Sequence, residues 1–208
     1  MALSTKAVKF LENSERDIIS IDETAIRDIF AENKAPVFEP LIQFQLAYGG
    51  YTFYAGLAPI RFSLLHGLGG YPASNYTAFI DFEANDAGIP KYYFNCASTN
   101  YQMQFFLDER GQYYEDYEVK SCNFEKTIEH LALWAEMQRK DFELILHNRQ
   151  LDVKHIEHAL NLTLISEASD EYTQWYQNEF LYMEQWNGYT TIAASKHFAG
   201  KEKLADLI

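Results

Sequence analysis

Residues 35–56 read APVFEPLIQFQLAYGGYTFYAG, and this stretch decides the fold. Pro40 lacks the N–H that the first turn of a helix cannot use, so it marks a helix start. Leu41, Phe44 and Tyr48 recur at i, i+3 and i+7, with Ile42 and Leu46 beside them, which is one apolar face of a short helix. Gly49 and Gly50 follow where the chain must leave that helix. Glycine tolerates the left-handed conformation such an exit needs, so one of the two is expected at positive φ. Residues 51–54, Tyr-Thr-Phe-Tyr, then read as a strand.

Upstream, Ser20 with Glu23 reads as a capping box opening a helix over 20–30, with Ile26, Ile29 and Phe30 as its apolar stripe. Downstream, residues 51–54, 61–65, 77–82 and 91–96 read as strands separated by Gly-, Pro- and Asn-containing turns. Met103, Phe105 and Leu107 alternate with Gln102, Gln104 and Phe106, the pattern of a half-buried strand. Asp108-Glu109-Arg110-Gly111 suits a type I turn closing a hairpin, with 112–117 as the return strand. Asn123 can cap a helix running to about residue 146, whose Phe124, Ile128, Leu131, Ala135, Phe142 and Ile145 keep helical spacing. After it, 153–160 reads as a helix, and 162–165 as a short strand or the end of that helix. Tyr172, Trp175, Tyr176, Phe180 and Met183 stand at near-helical spacing, which gives a helix over 171–186. Residues 195–208 read as a polar tail.

The chain has 208 residues, 48% apolar, with 15 Tyr and 15 Phe. That is enough for a real core in one large domain, or in one domain with an appendage. The formal net charge of −13 opposes binding to nucleic acid or to anionic membranes and favours a basic protein partner. Cys96 and Cys122 could form one bridge but are no disulfide framework, and both read as buried thiols in a reducing compartment. No apolar run approaches the roughly 20 residues needed to span a bilayer. The first residues carry no signal-peptide pattern, so the cytoplasm is expected.

Catalytic signatures are sparse. The chain contains no G-x-S-x-G nucleophile elbow. Gly67-x-Gly69-Gly70 lacks the spacing and the Lys-Ser/Thr of a phosphate loop. His155 and His158 lie one turn apart, but Glu157 between them has the wrong offset for a zinc motif, so they read as a solvated helix face. The stretch 113–118, Tyr-Tyr-Glu-Asp-Tyr-Glu, is more informative. On a continuous strand, Tyr114, Asp116 and Glu118 would share one face. Tyrosine suits interfaces, and carboxylates speed the capture of a basic partner.

Together, the helix–Gly-Gly–strand corner, the acidic helix over 20–30, the hairpin over 105–114 and the helix over 123–146 resemble the SUKH superfamily. This group includes the fungal Smi/Knr cell-wall regulators and many bacterial immunity proteins. The resemblance covers about residues 10–148. An insert over 57–75 and the residues after 146 depart from it. It implies an α+β fold, with an antiparallel sheet of five or six strands flanked by helices. It makes residues 1–148 the SUKH-like domain and 149–208 a helical C-terminal extension packed on it. It also implies a non-catalytic protein without cofactor or metal, which neutralises a cognate bacterial toxin of nuclease or deaminase type by occlusion. The partner surface it suggests comprises Asp108, Glu109, Tyr114, Glu115, Asp116 and Glu118. The alternatives are a Smi/Knr-like regulatory scaffold, and an enzyme whose site gathers distant residues such as His66, Asp81 and His147.

Overall fold

The computed structural model describes residues 2–17, 22–32, 34–54, 58–67, 76–78, 80–84, 88, 90–100 and 103–200. The expected cap at Ser20, the loop over 68–72 and the tail beyond 200 lie outside these. The chain is α+β and divides into two compact units. The first is Leu11–Phe124; the second is Met1–Phe10 together with Glu125–Ile208. In chain order the first unit is therefore inserted into the second. Residue 148, the expected domain end, falls inside a strand of the second unit.

Helix α1 (Thr5–Glu12) straddles the first division. The first unit continues with β1 (Glu15–Arg16), α2 (Glu23–Glu32), α3 (Glu39–Tyr48), β2 (Tyr51–Tyr54), β3 (Pro59–Phe62), β4 (His66–Gly67), β5 (Tyr76–Thr77), β6 (Ile80–Ala84), β7 (Pro90–Asn95), β8 (Ala97–Ser98), β9 (Phe105–Asp108), β10 (Tyr113–Glu115) and β11 (Glu118–Ser121). Two antiparallel sheets carry it, ordered β1-β2-β3-β8 and β11-β10-β9-β7-β6, with β4 and β5 as a separate pair. The chain passes from one sheet to the other at Cys96. Its N–H donates to the Phe105 carbonyl (2.9 Å), and its own carbonyl accepts from Ser63 N–H (2.8 Å). Cys96 is buried and Cys122 only half-buried, against the expectation of two buried thiols, and neither is in a disulfide.

The Gly-Gly corner forms as expected. Leu41, Ile42, Phe44 and Tyr48 of α3 are buried, while Leu46 is exposed. Gly49 keeps φ at −56° and donates its N–H to the Gln45 carbonyl, and Gly50 takes the positive φ, 92°. Gly50 N–H donates to Phe62 O (2.8 Å), and Gly50 O accepts from Asp17 N–H (3.0 Å). Arg16 closes the helix end, donating to the carbonyls of Gly49 (3.1 Å) and Leu46 (2.8 Å), a cation at the negative end of α3. Phe124 is the hub of the core below. Its ring meets Phe44 (4.6 Å between centroids), Phe62 (4.9 Å), Tyr48 (5.0 Å) and Tyr113 (5.8 Å). Helix α2 is capped by Asp22, whose carboxylate accepts from Ala25 N–H.

The second unit corrects two expectations. Helix α4 (Phe124–Arg139) stops seven residues short of 146. Asp141 takes φ 54°, and the chain turns directly into β12 (Phe142–Arg149). Phe142 and Ile145 therefore lie on a strand. The expected helix over 171–186 is a hairpin instead. After α5 (Val153–Leu160) come β13 (Thr163–Leu164), a 3-10 turn at Ser166–Ala168, β14 (Thr173–Gln177), β15 (Leu181–Trp186) and β16 (Tyr189–Ser195). The five strands form one antiparallel sheet ordered β12-β16-β15-β14-β13. Its aromatic residues serve two faces. Tyr176, Met183, Ile192 and Ala194 pack with Val153, Ile156 and Leu160 of α5. Trp175, Tyr182 and Ala193 pack with Leu133 and Met137 of α4. A sheet covered by a helix on each face needs apolar residues at successive positions, which mimics helical spacing in the sequence. The C-terminal part is thus mainly strand, with α5 its one helix among the described residues.

The first ten residues belong to this unit. Glu129, only 6% exposed, accepts from Ser4 N–H (2.6 Å) and Ser4 Oγ–H (2.7 Å) at the start of α1. Lys6 pairs with Glu136, which Lys140 also reaches, and lies over the Tyr182 ring.

Candidate functional site

The six residues expected at a partner surface lie on β9, β10, β11 and their two connections, and the structure sorts them into two groups. The first connection is the turn expected from the sequence. Asp108 N–H donates to Gln112 O, Gly111 N–H donates to Asp108 O, and Gly111 takes φ 81°. Asp108 turns inward. Only 2% exposed, it accepts from the N–H groups of Arg110 and Gln112 at 2.9 Å each, so its carboxylate stabilises the turn. Its other oxygen accepts from Tyr114 O–H (3.1 Å), and Lys91 Nζ donates to the Tyr114 hydroxyl (2.8 Å). The Lys91 ammonium also sits over the rings of Tyr93 and Tyr114. Burial pushes the Tyr114 phenol up to about 12, while Lys91 pulls the other way. Asp108 and Tyr114 are therefore the internal fastening of the sheet. The expectation that β9 is half-buried is corrected too: Phe105 and Leu107 on one face and Phe106 and Asp108 on the other are all buried.

The second connection breaks the continuous strand expected over 113–118. Tyr114, Asp116 and Glu118 do not share a strand face, because Asp116 and Tyr117 form a two-residue turn between β10 and β11. Both have positive φ, 48° and 68°. Hairpin geometry requires this of a two-residue loop, and Asn-Gly normally supplies it. An aromatic residue there is strained. Asp116 ties back through its carboxylate and N–H to Gln104. Tyr117, 41% exposed, packs against Phe106 (4.6 Å between ring centroids, tilted) and edge-on against Tyr93 (5.4 Å), and donates its hydroxyl to Asp81 (2.9 Å). Glu115 and Glu118 stand directly opposite each other across the ladder, an arrangement of like charges that destabilises a strand pair. The tip thus presents the carboxylates of Glu115, Asp116 and Glu118 around a tyrosine. Glu109, half-buried, lies at the other turn.

The remaining candidates are scattered. His66 Nε2 lies 3.3 Å from the Asn95 carbonyl, and burial lowers its pKa. Asp81 accepts from Tyr117, while His147 stands on β12 of the second unit beside Thr191. His155 and His158 are both exposed on α5. Among the described residues, no group of three or more His, Cys, Asp or Glu is placed to hold a metal ion, and no helix is long and apolar enough to cross a membrane. Sequence reasoning missed Tyr117 and Asp81 as part of this surface. The signal was Asp116-Tyr117 acting as a turn, which the tyrosine–carboxylate alternation concealed. In comparisons with known proteins, no family model, no curated protein and no solved structure matches this chain.

Proposed function

We propose that this chain is a SUKH-like, non-catalytic protein-binding domain, acting in the cytoplasm as an immunity protein. It neutralises a basic toxin domain of nuclease or deaminase type by covering its active site. The observation that carries the reading is the β10–β11 tip. Glu115 and Glu118 face each other across the ladder, and Asp116 and Tyr117 hold positive φ between them. A sequence that places like charges in register and an aromatic residue in a left-handed turn gives up local stability there, a common mark of a functional surface. A cationic partner relieves that repulsion, and the net charge of −13 steers it in. Support for the toxin class comes from the resemblance carried by the helix–Gly-Gly–strand corner. The test isolates the partner by affinity capture and measures association rates at low and high salt. A steep fall with salt is expected, with slower association for Glu115→Lys and Asp116→Lys. A salt-independent rate, with wild-type affinity after both reversals, sinks the reading.

A further inference from the structure

Asn187 and Gly188 join β15 to β16 in a two-residue loop closed by the Trp186–Tyr189 pair. Both have positive φ, 50° and 77°, which makes the turn type I′. Both are exposed. Of the asparagines in the chain, Asn187 alone precedes a glycine. Its side-chain carboxamide carbon is an electrophile within reach of the next backbone nitrogen, and glycine puts no side chain in the way of that nitrogen. The space beside Gly188 is open: a Cβ there would meet nothing within 4 Å.

The folded turn nevertheless blocks the reaction between them. In a type I′ turn, ψ of the first central residue is about 30°, which sets Gly188 N nearly anti to the Asn187 Cβ. Ring closure needs the two on the same side of the Cα–C bond, so Asn187 must first leave the turn conformation. The ladder from Leu181 opposite Ala194 to Trp186 opposite Tyr189 holds it there. We propose that Asn187-Gly188 is a site of spontaneous deamidation, closed in the folded hairpin and active when the hairpin opens, whose isoaspartyl product makes unfolding of the second unit irreversible. Once the turn is released, Gly188 N–H gives its proton to hydroxide and the nitrogen attacks Asn187 Cγ. The N–Cγ bond forms, the Cγ–Nδ2 bond breaks and ammonia leaves, giving a five-membered succinimide. Water then opens either ring carbonyl. Opening at Cγ leaves aspartate on an unchanged backbone, and Asp-Gly suits the same turn. Opening at the Asn187 backbone carbonyl routes the chain through Cγ and lengthens it by one methylene. A two-residue loop does not accommodate that insertion, because its twist must match the flanking strands. Strands β15 and β16 lie inside the five-stranded sheet and serve both its faces. Met183, Ile192 and Ala194 pack on the α5 side, and Tyr182 and Ala193 on the α4 side. The isoaspartyl chain therefore lacks a hairpin on which both clusters depend. This chemistry is independent of the partner surface on β10–β11.

Peptide mapping by mass spectrometry tests it, on the full chain incubated at mildly alkaline pH in native buffer and in guanidinium chloride. Conversion at Asn187 is expected in denaturant, and at least about tenfold slower in native buffer, where it waits on local opening. After dilution from denaturant, the fraction that regains the native circular dichroism spectrum should fall as isoaspartate accumulates. Asn187→Gly keeps a pair suited to the turn but has no carboxamide, so its refolding should not decline with time in denaturant. Equal rates in the two buffers, or no conversion in denaturant, overturn the proposal. So does an isoaspartyl chain that refolds fully, or a decline in Asn187→Gly as steep as in the wild type.

Discussion

Gly50 and Gly188 both hold positive φ, 92° and 77°, but for different reasons. A Cβ on Gly188 meets nothing within 4 Å, whereas one on Gly50 would overlap the carbonyl oxygen of Asp17, the residue that follows β1. Gly188→Ala therefore costs about 1–2 kcal/mol, from backbone conformation alone. Gly50→Ala adds a clash with backbone and costs at least about 2–3 kcal/mol. Urea unfolding separates them, and equal losses would show that β1 yields freely. Tyr114→Phe removes the one hydroxyl that joins Lys91 to buried Asp108 and costs about 1–3 kcal/mol near neutral pH. The pH dependence has a definite sign. Tyr114 titrates near 12 when folded and near the ordinary tyrosine value of about 10 when unfolded. Its protonated form stabilises the fold fully below about pH 10, and that stability is lost as pH rises towards about 12. The gap in stability between wild type and Tyr114→Phe should thus narrow over this range.

At the scale of elements, the β10–β11 hairpin and the β15–β16 hairpin use the same kind of turn with opposite chemistry. Asn187-Gly188 supplies positive φ with residues suited to it, whereas Asp116-Tyr117 does not. Glu118→Thr removes the like charge opposite Glu115 and should stabilise the chain by about 0.2–1 kcal/mol. If the tip captures a basic partner, the same change slows association, measured by stopped-flow at low salt. A change in neither property would make the facing carboxylates incidental. Helix α4 begins with the residue on which the first unit's core converges. Phe124→Ala empties a site lined by four aromatic rings and costs about 3–5 kcal/mol, measurable as a lower denaturation midpoint.

Across the whole molecule, the chain leaves the second unit after ten residues and returns to it at Glu125. The N-terminal segment is therefore part of that unit's fold, fastened by Ser4 to buried Glu129 and by Lys6 to Glu136. Deleting residues 2–10 leaves the Glu129 carboxylate without these donors, which costs several kcal/mol for a buried charge. Hydrogen exchange should show the loss first along α4. Unchanged protection there would mean that α1 is a bystander.

Sequence alone determined the local features whose cause is local. Pro40 and the spacing of Leu41, Phe44 and Tyr48 placed α3, the paired glycines placed the corner, and Asp108 to Gly111 placed the β9–β10 turn. Asn187-Gly188 was also a readable hairpin signal, and it outweighs the aromatic spacing that suggested a helix over 171–186. Tertiary structure decided the rest. The sheet between α4 and α5 buries both its faces, and that burial erases the alternation which marks a strand in sequence. Asp108 and Tyr114 look like surface groups until the fold brings Lys91 to them across the sheet. Asp108 is turned away from water where β9 pairs with β7, a strand distant in sequence, and no local pattern encodes that pairing.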